Sequence, residues 1–131
     1  ETQRFLKRYH VQPWVWNPHF PVNTLNLMRA AVAAQFEGVF EAYVDAAFHH
    51  MWREPKKMDD PATAIAAITS SGLDGAKLFA RAQEPEVKAK LVENTQAAVE
   101  RGAFGSPTFF VGTEIFFGKE QLRDVEEMIL G

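Results

Sequence analysis

The chain has no cysteine among its 131 residues. That excludes disulfides, thiolate metal ligands and Cys-X-X-Cys redox chemistry carried by these residues, and it fits a cytoplasmic protein. Long apolar runs are missing too. No stretch approaches the ~18 residues that a membrane helix needs, and the first residues lack the basic and apolar blocks of a secretory leader. Neither sign of charge is in large excess: 14 Lys and Arg stand against 17 Asp and Glu, a net of −3. That leaves no electrostatic footprint for nucleic acid or an anionic membrane. Metal-ligand clusters are absent as well. His49 and His50 are adjacent, so on a helix they point about 100° apart, and no Asp or Glu completes a set. His10 and His19 stand alone in expected loops, and Lys56-Lys57 is too short for a nucleic-acid patch.

What is present is a core. Eleven Phe and three Trp sit in a chain that is 47% apolar, enough for one domain. Residues 1–10 have helical spacing. Residues 11–16 (VQPWVW) are aromatic and β-branched and read as a strand. A proline-punctuated loop follows, and Asn23 stands where an N-cap belongs. Leu25, Met28, Val32 and Phe36 then mark one helix face, and Gly38 interrupts it. The next helix carries Phe40, Tyr43, Phe48 and Trp52 in a stripe too wide for one contact. Asp60-Pro61 and Asp74 open two short helices, and Pro85 opens a longer one that stops at Gly102. Two short β-favouring runs, 108–111 and 114–117, flank Gly112-Thr113 and predict a hairpin. Gly118 leads into a last helix, with Leu122, Val125, Ile129 and Leu130 expected to face inward.

The chain is organised around Gly105-Ser106-Pro107-Thr108-Phe109-Phe110-Val111. Proline lacks an N–H and cannot sit inside a central ladder. One reading is a trans proline that opens an edge strand. The other is a cis Ser106-Pro107 bond, which turns the Ser106 N–H and C=O away from the sheet, where an extended peptide could pair with them.

The element order and a series of short motifs resemble the 2-hydroxychromene-2-carboxylate isomerase family, itself similar to kappa-class glutathione transferases and to DsbA-like thioredoxin folds. The motifs are Phe20-Pro21-Val22-Asn23-Thr24 with Arg29-Ala30-Ala31, Ala47-Phe48 with Trp52, Gly72-Leu73-Asp74, Pro85 with Val87-Lys88, Gly102 with Phe104 to Phe109, and Phe116 to Glu120 with Leu122 and Val125-Glu126. The resemblance implies an α/β, thioredoxin-like (DsbA-like) sheet over residues 1–22 and 84–131, with an all-α insertion over 23–83. Family members begin with a strand and a helix bearing a catalytic Ser, so about sixty further residues are expected before Glu1. The first strand and helix, and with them any catalytic residue, are thus expected to be absent from this chain. It implies glutathione as cofactor, bound by Ser106, Pro107, Phe117, Gly118, Lys119 and Glu120. The substrate would be a small aromatic molecule, with Trp16 and Asn23 on its side and Trp14 nearby. Read from the residues alone, Lys119-Glu120 is also a solvated first turn, and Asn23 and the tryptophans are also a cap and core aromatics. The activity implied is a glutathione-dependent isomerisation. A kappa-class transferase or peroxidase activity, or a binding protein without turnover, stays open, and a homodimer is compatible with the apolar insert.

Overall fold

The computed structural model describes residues 2–11 and 14–131. These residues form seven α-helices, one hairpin and one 3-10 turn: α1 Thr2–Arg8, α2 Leu25–Phe36, α3 Phe40–Trp52, α4 Pro61–Ser70, α5 Gly75–Arg81, α6 Pro85–Glu100, β1 Thr108–Val111, β2 Glu114–Phe117, the 3-10 turn Lys119–Gln121, and α7 Leu122–Leu130. They group into two compact units, Glu1–Leu91 and Val92–Gly131, and α6 spans the division.

In the first unit the helix boundaries follow local chemistry. The Asn23 side chain accepts from the Leu25 N–H at 3.0 Å, one residue ahead of the Thr24 cap position. Asp60 accepts from the Thr63 N–H at 3.0 Å, with Pro61 at the first helical position where its missing N–H costs nothing. Asp74 accepts from the Lys77 N–H at 3.0 Å. At the end of α2, Gly38 takes φ 75 and two reversed bonds close the helix, Gly38 N–H to Gln35 O and Val39 N–H to Ala34 O. This is the αL stop that suits glycine.

The core of this unit is built on small residues. Ala30, Ala31, Ala33 and Ala34 of α2, Ala46 of α3 and Ala64 and Ala67 of α4 are all buried. They let α2 lie close to α3 and α5, and α4 close to α3 and α5. Tyr43, Met58, Ile68, Leu78, Phe79 and Val87 fill the remaining space. Tyr43 donates its hydroxyl to the Leu27 carbonyl at 2.7 Å, and burial pushes its ionisation well above the ordinary tyrosine value. Asn17 is fully buried. Its amide donates to the Lys56 carbonyl at 3.0 Å and its oxygen accepts from the His19 N–H at 2.8 Å, tying the 17–20 loop to the turn after α3.

Two expectations for the first unit are corrected here. The strand over 11–16 does not form: Val11 and residues 14–16 join no ladder, and Gln12 and Pro13 lie outside the described residues. A strand needs a paired neighbour. Here the Val15 N–H goes instead to the Trp52 carbonyl at 2.6 Å, and Trp14 stacks on Trp52 with centroids 5.6 Å apart. The inward face of α2 is also different. Leu25, Met28 and Phe36 are exposed and only Val32 of the expected four is buried, because the alanine side permits the closer helix contacts.

In the second unit β1 and β2 pair antiparallel, Thr108 opposite Phe117 and Val111 opposite Glu114, around Gly112 at φ 59. The Arg101 guanidinium lies 3.9 Å from the Phe110 ring centroid. Helix α7 packs on β1, with Val125 buried; Leu122, Ile129 and Leu130, expected to face inward, are exposed.

Candidate functional site

The second unit concentrates its unusual backbone around Pro107. The Ser106–Pro107 bond is cis. The Pro107 carbonyl is taken by the Gly118 N–H at 2.9 Å, immediately beyond the last ladder pair. Ser106 is exposed, and neither its N–H nor its C=O has a hydrogen-bond partner among the described residues. Its main-chain polar atoms are therefore left without an internal partner at an exposed residue beside the hairpin, as an added strand or extended peptide would require. Thr108 steadies the turn from behind, donating its hydroxyl to the Gly105 carbonyl at 2.6 Å.

Packing explains why Gly105 precedes the serine. A Cβ at Gly105 would lie 2.7 Å from the Phe117 ring, which is itself held against Phe104 with centroids 4.5 Å apart. Gly118, at φ 97, then turns the chain from β2 into the 3-10 turn, and a Cβ there would lie 2.8 Å from a Glu120 carboxylate oxygen. Lys119 and Glu120 pair with each other. The Lys119 ammonium, hydrogen-bonded to it, holds the Glu120 carboxyl below the usual carboxylate range, and the Glu120 N–H contributes in the same direction. The two charges expected to meet a ligand separately are thus stored as one exposed ion pair at the entrance to α7.

Six of the expected residues, Ser106, Pro107, Phe117, Gly118, Lys119 and Glu120, belong to this one turn–hairpin–turn of the second unit. Trp16 and Asn23 belong to the first. The Asn23 oxygen is committed to the Leu25 N–H, and its own N–H reaches Asp59 at 3.3 Å. Trp16 is exposed, edge-on to Phe20 at 5.1 Å and to Trp14 at 5.9 Å. Gly105 and Phe104 join these six in the structure; a glycine beside a proline turn, followed by a phenylalanine-rich hairpin, is the sequence signal for them. The Phe20–Pro21 bond is also cis.

A second polar cluster in the first unit needs a chemical reading because it contains a serine and a buried histidine. Lys56 Nζ lies 2.9 Å from His50 Nδ1, and His50 Nε2 lies 2.8 Å from Ser71 Oγ. An ammonium can only donate. Nδ1 therefore accepts and the imidazole proton sits on Nε2, pointing at Ser71. In that tautomer the ring cannot take the serine proton, which nucleophilic activation would require. The cluster is a joint between the α3 turn and the end of α4. Among the described residues no three His, Cys, Asp or Glu side chains gather to hold a metal, and no helix is long and apolar enough to cross a membrane.

A cis-proline turn beside a hairpin, followed by a helix packed on that hairpin, defines a thioredoxin-like class of domain. The DSBA-like thioredoxin domain matches residues 3–130, and the chain belongs to that family. Among curated relatives it is 28% identical over 130 residues to a 2-hydroxychromene-2-carboxylate isomerase of Sphingobium xenophagum, covering 99% of this chain and 65% of the relative. It is 27% identical to the isomerase of the same name from Pseudomonas sp. (strain C18), covering 100% and 60%. It is 25% identical to human glutathione S-transferase kappa 1, covering 90% and 59%. A solved 2-hydroxychromene-2-carboxylate isomerase superposes with a TM-score of 0.72 at 25% identity, over 97% of this chain and 61% of that one. The chain thus spans about three fifths of the length of the relatives it matches. These relatives are isomerases and a glutathione transferase, which places the chain in an enzyme family.

Proposed function

We propose that this chain carries the glutathione cradle of an isomerase of the 2-hydroxychromene-2-carboxylate type. The observation that carries the reading is the unpartnered main chain of the exposed Ser106 at the cis Pro107, beside a paired Lys119 and Glu120. When bound, glutathione supplies a nucleophilic sulfur able to add reversibly to an unsaturated acid. The Ser106 N–H and C=O pair with the cysteinyl unit as an extra strand would. The γ-glutamyl end carries an ammonium and a carboxylate together. Glu120 takes the ammonium and Lys119 the carboxylate, so one exposed ion pair is exchanged for two. Gly118 keeps this turn open to the approaching main chain, and Phe117 backs it with an apolar wall.

The test is calorimetric titration of the protein with glutathione, together with a thermal melt. Binding to the native state raises the melting temperature with ligand concentration. Glu120→Ala is expected to weaken glutathione by about fivefold or more. An unchanged dissociation constant removes Glu120 from the site, and no binding at all removes the cradle. Similarity to the kappa-class transferase favours one second reading, conjugation of glutathione to an electrophile. Product analysis with a chromene-type acid against a halogenated aromatic separates the two.

A further inference from the structure

The first unit holds a cleft of about 440 Å³ that none of the residues above account for, apart from Trp14 at its edge. It is lined by Gln3, Leu6, Lys7, His10 and Trp14. Among the described residues no acidic side chain lines it. Its three other polar side chains, Gln3, Lys7 and His10, have no hydrogen-bond or ionic partner among the described residues. The apolar part is a platform: Trp52 lies nearly parallel to Trp14, at 16° and 5.6 Å, and Trp16 meets it edge-on at 5.9 Å. A ring held from behind in this way loses little freedom when another ring stacks on it.

The backbone at His10 is the second observation. Helix α1 ends with the same pair of reversed bonds as α2, here His10 N–H to Lys7 O at 3.4 Å and Val11 N–H to Leu6 O at 2.9 Å. α6 ends likewise, Gly102 N–H to Val99 O and Ala103 N–H to Ala98 O. Glycine holds the left-handed position after α2 and α6, at φ 75 and φ 103. After α1 that position is His10, at φ 54, the one non-glycine residue with positive φ among the described residues. Glycine serves this position at less cost; here the position carries an imidazole instead. The stop sets that imidazole three residues from Lys7, on the wall of the same cleft.

We propose that this cleft binds an aromatic carboxylate. The Lys7 ammonium and a His10 N–H take the acid group, Gln3 adds an amide donor, and Trp14 and Leu6 take the ring. The inference rests on the isomerase reading for its ligand class, an acid carried on a ring, and assigns where such an acid is first held. Its test does not pass through turnover.

All three tryptophans of the chain lie in this cluster, with centroid separations of 5.6 to 6.0 Å, so intrinsic emission reports the site directly. The full chain is titrated with benzoate and with benzamide, without glutathione. Benzoate is expected to change the emission saturably, and benzamide to bind at least about tenfold more weakly. Lys7→Ala is expected to weaken benzoate about fivefold, and Lys7→Arg to restore it. His10→Gly is expected to weaken benzoate while leaving the melting temperature equal or higher, a split that a purely structural role would not produce. Equal binding of the acid and the amide, an unchanged benzoate constant in Lys7→Ala, or no saturable response overturns the proposal. Benzoate binding that survives in a chain that binds no glutathione sinks the isomerase reading alone.

Discussion

Replacing Gly75 by alanine tests the packing on which the helical unit depends. Gly75 opens α5 where that helix meets α4. A Cβ there would lie 2.5 Å from the Ile65 carbonyl oxygen and 2.6 Å from Thr69 Oγ1. A carbon meets a carbonyl oxygen comfortably at about 3.3 Å, so the shortfall is about 0.8 Å. The Ile65 oxygen is main chain, and Thr69 donates its hydroxyl to that same oxygen at 2.7 Å. Neither atom can swing aside alone, so α4 and α5 must separate. Overpacking of this kind costs about 1–3 kcal/mol. Alanine opposes it with a helix preference of up to about 1 kcal/mol over glycine. The net expectation is a loss of about 1–2 kcal/mol, a fall of roughly 0.5–1 M in the urea midpoint for a slope near 2 kcal/mol/M. Thr69→Ala in the same chain removes one of the two obstructions and should recover part of the loss, a non-additive pair. A midpoint for Gly75→Ala at or above that of the parent, with an unchanged slope, would refute the claim that these helices are in contact at this glycine.

Two further measurements follow from buried polar groups. His50 is 3% exposed, and burial first, then the Lys56 and His49 charges, hold its ionisation below the ordinary histidine value of 6.5. The unfolded chain therefore binds this proton at a higher pH than the folded one. Its contribution to stability is complete above about pH 6.5 and is lost as pH falls from there through the folded value; urea midpoints against pH should show that decline, and His50→Gln should flatten it. Tyr43→Phe removes the hydroxyl bonded to the Leu27 carbonyl at 2.7 Å and should cost about 1 kcal/mol by denaturant titration; no loss would mean that this bond adds nothing net.

How much of this was legible in the sequence depends on the kind of residue. Proline, glycine and helix-capping aspartate constrain their own backbone, and the stops at Gly38 and Gly102, the starts at Asp60-Pro61 and Asp74, and the hairpin at Gly112 stand where those residues predict them. Pro107 allowed two geometries, and only coordinates distinguish them. Which face of a helix is buried is decided by the neighbour. Spacing by hydropathy selected Leu25, Met28 and Phe36 of α2, yet a tightly packed helix pair selects for smallness, and alanine barely registers on a hydropathy pattern. The run over 11–16 had β-favouring composition, but composition carries no information about whether a partner strand exists, and its rings found Trp52 instead. His10 lies between these cases. A left-handed stop written with histidine is a local misfit visible in principle, but only after the helix end is placed to the residue. Helix ends are the least regular part of any pattern, so the misfit becomes readable only beside the two glycine stops built the same way.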